Sequence, residues 1–458
     1  MVHLTSLQRS ALTISLLTSF LNPYLISGVN IALPTVEHEF NLDAISLSWI
    51  ITSYLLASAV FLLPIGKFAD NRGQKEVFKG GIIIFTIATV LCSIAPNGLL
   101  LIIFRIIQGL GAAMTLTTGA PILVSVFPQT ERGKVLGLNV AAVYLGLSLG
   151  PFIGGILTQY FGWRSIFLFC IPLEIVVVML AFLKLRSIEI PGIPGKIDKP
   201  GVLYYSAGLI SIVYSASNLN KSFGWPLLII GLLIMVLFIF RCRKSSFPIF
   251  EIPLFTRNRI FAFSNIAALI NYSATFSLVF LMSIYLQKIK GLSPQYAGTI
   301  LVAQPLMMAI LSPFSGKLSD RIEPRLLATT GMFISSSGLF LMAFIDEQTS
   351  VYLIVAILIY IGTGFGIFSS PNMNTIMSSV ERRQFGIASG TAASMRVIGQ
   401  MISMMIVTLV FSFYFSGSHI KDVENGVFIS SIRLLFIISG VICFSGVYFS
   451  GSRGNLRN

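Results

Sequence analysis

The chain has 458 residues, of which 55% are hydrophobic and 10% are charged, and its mean hydropathy is +0.87. Soluble domains carry about 25% charged residues, so this composition excludes an ordinary soluble protein and indicates a membrane protein. The net charge of +14 would suit a nucleic-acid-binding protein, but basic loops between membrane helices give the same excess.

Fourteen apolar stretches, each bounded by charged or turn residues, predict fourteen membrane helices. They lie at residues 11–32, 47–66, 79–96, 99–127, 136–158, 165–183, 201–218, 225–240, 260–286, 296–315, 325–345, 350–372, 386–415 and 428–450. An even number of spans places both chain ends on one side of the membrane. Most of the Lys and Arg residues lie in loops on that side, which predicts cytoplasmic N and C termini. This distribution accounts for the net charge without a nucleic-acid partner.

Other function classes find little support in the sequence. The first apolar stretch has no small-residue cleavage site, so we expect a retained helix and not a signal peptide. Cys92, Cys170, Cys242 and Cys443 lie far apart, so we expect neither a disulfide nor a metal site. The sequence has no P-loop and no nucleophile or metal constellation, which argues against an enzyme and against a cofactor.

The two ends of the chain repeat each other at an offset of 250 residues. Residues 66–72 match residues 316–321, Pro121 matches Pro371, and Glu131-Arg132 matches Glu381-Arg382. Duplicated halves are typical of secondary transporters. We predict a six-helix half over residues 1–190, a linker with two inserted helices over 191–250, and a second six-helix half over 251–458. The linker begins in the Pro/Gly-rich segment 191–195.

Four motifs follow one another along the first half: VNIALP at residues 29–34, GKFADNRGQK at 66–75, RIIQGLGAA at 105–113 and GLSLGPFIGG at 146–155. Together they resemble motifs of the major facilitator superfamily, specifically its fourteen-helix drug:proton antiporter branch. The resemblance implies an all-α membrane fold in which two halves alternate access to a central cavity. It also implies export of drugs in exchange for protons.

An acidic residue is repeated at corresponding helix ends, at Asp70 and Asp320. A carboxylate at a helix end can cap a neighbouring helix and pair with adjacent basic side chains. Ordinary basic loops would explain the Lys and Arg residues there, but not the duplicated acid. We therefore predict a cytoplasmic gate formed by Gly66, Asp70, Arg72, Lys75, Gly316, Asp320 and Arg321.

Glycines recur every four residues in the fifth predicted helix, at Gly146, Gly150 and Gly154. Such a stripe lets another helix approach closely, and plain helix packing is the simplest interpretation. The family resemblance implies in addition that this segment, with Pro151 and Gly155, forms a rocking interface characteristic of exporters.

Three ionisable residues fall deep within predicted spans: Arg105, Glu174 and Arg396. Such residues are costly in a membrane and usually face the bundle interior or find partners. We expect Arg105 to bond Gln108 or polar groups of the first helix, and the resemblance implies a part in proton transfer. The branch carries an Asp in its first helix where this chain has Leu25, so that part of the mechanism does not carry over.

Glu174 and Arg396 each leave two interpretations open. Glu174 is either a proton-coupling residue or a structural one, the latter as a neutral, hydrogen-bonded glutamic acid or as a partner of a buried arginine. Arg396 is either structural, neutralised by carbonyl groups or by Glu174, or faces the substrate. The predicted cavity residues are Asn22, Asn30, Gln108, Asn265, Asn271, Tyr272, Gln304, Asn372 and Arg396.

The sequence therefore predicts a monomeric exporter of amphipathic drugs or related small molecules in a prokaryotic cytoplasmic membrane, with protons as the exchanged ion. One alternative is a transporter of anionic or neutral metabolites that uses Arg105 or Arg396. Another is a membrane scaffold or sensor that transports nothing.

Overall fold

The computed structural model describes residues 5–128, 131–185, 195–381, 384–415 and 417–456, which are helical almost throughout. The helices are α1 (Ser6–Phe40), α2 (Ala44–Arg72), α3 (Gln74–Ser93), α4 (Gly98–Val126), α5 (Arg132–Phe161), α6 (Ser165–Lys184), α7 (Lys199–Ala216), α8 (Gly224–Lys244), α9 (Ile252–Arg257), α10 (Arg259–Thr275), α11 (Ser277–Lys288), α12 (Pro294–Leu301), α13 (Ala303–Ser319), α14 (Pro324–Met342), α15 (Val351–Ser378), α16 (Phe385–Phe415) and α17 (Asn425–Ser452).

Thirteen helical stretches among the described residues are long and apolar enough to cross a membrane. Two of them are continuous pairs, α10 with α11 and α12 with α13. The seventh predicted span, residues 201–218, corresponds to helix α7, which is not among these thirteen stretches. The all-helical membrane fold is therefore confirmed, whereas a count of fourteen spans stays a prediction.

Helix starts and turns follow from local chemistry. Thr5 forms a capping box with Gln8 at the start of α1, and the side chains of Asp43 and Asn97 cap α2 and α4. Gly73 alone separates α2 from α3, at a φ of 98° that residues with a Cβ rarely adopt. The repeated loop after the second helix is thus a one-residue turn.

The helices pack in two groups. In the first, α1 lies along α5 and α6, and α3 lies between α4 and α6. In the second, α10 packs on α16 and α17, and α14 packs on α15 and α17. Helices α7 and α8 pair with each other and contact both groups through α2 and α16, where Trp49 donates to Ser217 at 2.9 Å. The exact domain boundaries stay a prediction, since 191–194 of the predicted linker and Arg382 of the repeat lie outside the described residues.

The two groups touch on the face opposite the chain ends. The Ser283 hydroxyl donates to the carbonyl of Asn30 at 2.8 Å, and Ser48 and Thr408 share a hydrogen bond of 2.9 Å. The backbone N–H of Lys421 donates to the Glu37 carboxylate at 3.0 Å. This face of the bundle is therefore closed, and we call it the far face.

Candidate functional site

A cavity of about 1100 Å³ lies between the two groups of helices. Helices α1, α4 and α5 line one side of it, and α10, α13, α15 and α16 line the other. Its wall includes Arg132 and Phe385, the first residues of α5 and α16, and Met377 near the end of α15. The cavity therefore opens at the face that carries the chain ends, which we call the near face.

The far face is sealed by glycines at the crossing of α5 and α12. A Cβ built on Gly155 would lie 2.6 Å from the carbonyl oxygen of Pro294, and one built on Gly298 would overlap the carbonyl oxygen of Pro151. The two helices thus approach to backbone contact, which side chains larger than hydrogen would prevent.

The glycine stripe of α5 packs against α1 in its own group. A Cβ on Gly146 would overlap the Phe20 carbonyl, one on Gly150 the Ser27 hydroxyl, and one on Gly154 would lie 3.0 Å from the Gly28 Cα. The predicted close approach of a second helix is present here. Within the motif at residues 146–155, Pro151 and Gly155 contact α12 of the second group of helices.

Four predicted cavity residues line the cavity: Asn22, Tyr272, Asn372 and Arg396. The other five lie elsewhere in this conformation: Asn30, Gln108, Asn265, Asn271 and Gln304 are all buried outside its wall. Asn30 belongs to the closed far face, and Asn265, Asn271 and Gln304 lie within the second group of helices.

A hydroxyl contact that the sequence did not reveal crosses the cavity. The Tyr144 hydroxyl on α5 and the Ser369 hydroxyl on α15 lie 2.5 Å apart, so they join the two groups. Asn139, another cavity-lining residue of α5, accepts hydrogen bonds from Ser15 at 2.8 Å and Ser19 at 2.6 Å. Asn139 lies seven residues after Arg132, two turns along the same face of α5, and this spacing is the signal that could have found it, whereas Tyr144, five residues further on, has no such signal.

A buried polar network connects α6 to the core of the first group. The Thr89 hydroxyl lies 3.0 Å from a Glu174 carboxyl oxygen and accepts from the Gln108 amide at 2.9 Å. Arg105 donates to the Gln108 carbonyl oxygen at 2.6 Å and to the Ile50 carbonyl at 3.2 Å. The expected contact between Arg105 and Gln108 is therefore confirmed. Arg105 and Glu174 do not touch, but two polar side chains link them.

The network reaches the cavity wall through Tyr54. The Arg105 guanidinium lies over the Tyr54 ring, 4.4 Å from its centroid, and the Tyr54 hydroxyl donates to the Asn22 side chain at 3.1 Å. Asn22 lines the cavity. Neither a guanidinium nor an amide readily passes a proton on, so this chain of contacts is not a proton wire.

Arg396 is not hydrogen-bonded to this network. Its half-buried side chain lines the cavity, and the structure gives it no hydrogen bond or ion pair with the described residues. The interpretation in which Glu174 or carbonyl groups neutralise Arg396 is therefore not supported. Glu174 instead bonds Thr89.

The predicted gate residues stay on their own loops in this conformation. Asp70 is exposed and accepts a hydrogen bond of 2.8 Å from Gln74, while the Arg72 guanidinium lies 5.8 Å from the Phe68 ring centroid. Asp320 is exposed as well. This arrangement fits a cavity that is open at the near face, and the gating role of these residues stays a prediction.

Arg453 follows α17 and was counted from the sequence among the loop charges, yet it is buried. It donates to the Asn372 side-chain oxygen at 2.8 Å, and Asn372 donates to the Ser264 carbonyl at 3.0 Å. Burial lowers the pKa of Arg453 to about 10, so it stays protonated at neutral pH. The hydrogen bond from Arg453 therefore fixes the side-chain orientation of Asn372, a residue of the cavity wall.

Metal chemistry finds no support in the part of the chain that the structure describes. No group of three or more His, Cys, Asp or Glu side chains there could hold a metal ion, and the four cysteines are free and buried.

Two groups of membrane helices around a cavity that is open on one face and closed on the other define a membrane transport protein. The chain matches the family model of the Major Facilitator Superfamily over residues 15–404, with a further match over 264–455. It belongs to this family and is therefore a small-molecule transporter of the cell membrane, with many spans, and not an enzyme.

Comparisons with individual proteins agree with this assignment. The chain is 32% identical to the riboflavin transporter RibZ of Clostridioides difficile, over 92% of each protein. It is 27% identical to the multidrug resistance protein Stp of Mycobacterium tuberculosis, over 87% of this chain and 75% of that protein. The crystal structure of a D-xylose-proton symporter superimposes with a TM-score of 0.65, at 14% identity and over 98% of this chain and 99% of that one. That last likeness concerns the fold alone.

Proposed function

We propose that this protein exports amphipathic small molecules from the cell in exchange for protons, by alternating access of its central cavity. The observation that carries the proposal is the cavity itself, which is open at the near face while α5 and α12 seal the far face. The names of two relatives, a multidrug resistance protein and a puromycin resistance protein, support export of drug-like molecules. The name of a third, a riboflavin transporter, supports a planar aromatic substrate.

The proposed orientation of the chain in the membrane decides on which side the cavity opens. With cytoplasmic termini, fourteen spans and halves at residues 1–190 and 251–458, the open near face is the cytoplasmic one. A monomer in this conformation would load its substrate from the cytoplasm. Closure of the near face would then bring the gate residues around Asp70 and Asp320 together, while the crossing at Gly298 opens.

Proton coupling is proposed to depend on Glu174 and Arg105. Glu174 is fully buried, and one of its carboxyl oxygens has no hydrogen-bond partner in the structure. A charge that appears there when the proton leaves would act on Arg105 through Thr89 and Gln108, and on the cavity through Tyr54 and Asn22. Because Leu25 stands where the family resemblance implies an acid, Glu174 is the carboxylate of the first half best placed for this role.

The test is transport by purified protein in proteoliposomes, with a chemically diverse panel of drugs and aromatic vitamins and with or without a pH gradient. We expect saturable, gradient-dependent movement of some of these compounds, accompanied by proton flux. Glu174→Gln should fold normally, keep substrate binding and lose the proton flux, because the amide keeps the hydrogen bond to Thr89 but cannot ionise.

Glu424→Gln is the matched control, since it makes the same exchange at an exposed carboxylate outside the buried network and the predicted gate. Proton flux that survives Glu174→Gln would exclude Glu174 as the coupling residue. Absence of flux for every compound would reject the exporter itself and favour a scaffold or sensor.

A further inference from the structure

The charges on the cavity wall have one sign. Among the described residues that line the cavity, Arg132 and Arg396 are the charged ones, and the wall contains neither Asp nor Glu. Arg132 stands at the near-face mouth and donates to the Phe127 carbonyl at 3.2 Å. Arg396 is thus the cation at the inner end of the cavity. A positively charged substrate would meet repulsion there with no carboxylate to offset it.

Arg396 also lies next to a second, smaller space. A chamber of about 40 Å³ lies behind the main cavity and is lined by Arg396, Gln400, Asn22, Tyr54 and Ser58, among others. This volume is enough for a few small atoms, such as a water molecule or the head of an oxyanion. Arg396 lines both spaces, as do Asn22, Tyr144 and Tyr272, so it can contact a molecule in either one.

Two side chains that line the chamber, those of Arg396 and Gln400, can donate hydrogen bonds to a ligand. Arg396 and Gln400 lie four residues apart on α16 and therefore on one face, one turn from each other. The structure gives neither side chain a hydrogen bond with the described residues, although Gln400 is 8% exposed and Arg396 is half-buried. Partly buried polar groups of this kind usually bind a ligand or water when the protein itself supplies no partner.

We propose that Arg396 and Gln400 form a binding site for an oxyanion, and that the substrate is an aromatic molecule with an acidic group. The acidic group enters the chamber and accepts hydrogen bonds from the guanidinium and the amide. The aromatic body stays in the large cavity beside Tyr144, Tyr272 and Phe368. This inference rests on the proposed function and narrows its substrate class.

The position of the site connects it to the buried network. Asn22 and Tyr54, the two residues by which that network reaches the cavity, also line the chamber. An anion bound at Arg396 therefore lies next to the residues that respond to the charge state of Glu174. A substrate anion and a proton at Glu174 would thus influence each other through neighbouring side chains.

Matched pairs of dyes and aromatic acids test the substrate class in proteoliposomes. Fluorescein and rhodamine 123 share the xanthene ring system but differ in charge, and 2-naphthoate and 2-naphthamide differ in the acidic group alone. We expect transport of the anionic member of each pair. Arg396→Gln should weaken its apparent affinity about tenfold or more, Arg396→Lys should recover part of the loss, and Gln400→Leu should weaken it less.

Arg132→Gln is the control, because it removes the other cavity cation at the mouth and should change affinity far less. Thermal unfolding of each purified variant identifies those that fail to fold. If Arg396→Gln does not fold, the affinity of Gln400→Leu for the anionic compounds still tests the site. Preferred transport of rhodamine 123 and 2-naphthamide, with no effect of Arg396→Gln, would overturn this inference but leave the exporter intact. No transport of any panel compound would overturn the exporter and this inference with it.

Discussion

Gly298→Leu is expected to slow transport strongly and to open the far face. A Cβ alone at this position would overlap the carbonyl oxygen of Pro151, so a leucine cannot fit unless α12 moves away from α5. Overpacking of this kind costs about 1–3 kcal/mol. That cost falls on the conformation described here, in which the far face is closed, and shifts the equilibrium away from it by about fivefold to 150-fold. Because a transport cycle needs both conformations, we expect the rate of transport to fall by about fivefold or more.

The opening of the far face is measured with a single reactive cysteine. Ser48 is fully buried there and contacts Thr408 across the two groups, so Ser48→Cys reports whether they have separated. The four native cysteines are buried and give a low background in thiol labelling. We expect Ser48→Cys to be protected in the parent chain and labelled by a membrane-impermeant maleimide when combined with Gly298→Leu.

Gly426→Leu provides the matched control. A Cβ on Gly426 meets no atom within 4 Å, and the residue is exposed at the start of α17. The same exchange there should change neither transport nor labelling. Normal transport by Gly298→Leu, with Ser48→Cys still protected, would show that the α5–α12 crossing is not the far-face closure.

Much of the fold was predictable because apolar runs and their charged boundaries mark each membrane helix. The ends were less accurate where polar residues continue a helix beyond its apolar part. The first stretch was predicted at 11–32, whereas α1 runs from Ser6 to Phe40, since Thr5 caps its start and Glu37 meets the backbone of Lys421 at its end. Hydropathy alone does not register such contacts.

The site was predictable only in part because a sequence shows which residues are polar but not which way they face. Asn22 and Arg396 line the cavity as predicted, while Asn271 is as polar and lies buried away from it. Tyr144 was missed because the packing of α5 decides that its hydroxyl reaches Ser369. Arg453 was missed because a basic residue near the end of the chain looks like an ordinary loop charge until its burial is known.

Removal of Arg105 and of Glu174 should show a large energetic coupling, although the two side chains do not touch. Arg105→Met leaves the buried Gln108 side-chain oxygen without its donor, and a buried group left unsatisfied costs about 1–3 kcal/mol. Glu174→Leu removes the carboxyl group at the other end of the same network. Substitutions within one buried network do not have additive effects on stability. The free energy of unfolding lost by the double variant should therefore differ from the sum of the losses in the two single variants by about 0.5–3 kcal/mol.

This double-mutant cycle compares four purified proteins: the parent chain, the two single variants and the double variant. Thermal or denaturant unfolding of each is measured in one detergent, together with its proton-driven transport. Ser336→Ala is the control partner for Arg105→Met, because it removes a buried hydrogen bond to Gly440 in the other group of helices. That pair should be additive within about 0.5 kcal/mol. If the pair of Arg105 and Glu174 is additive too, then Thr89 and Gln108 do not carry the charge of Glu174 to Arg105. Proton coupling would then have to reach the cavity by a path that avoids Tyr54 and Asn22.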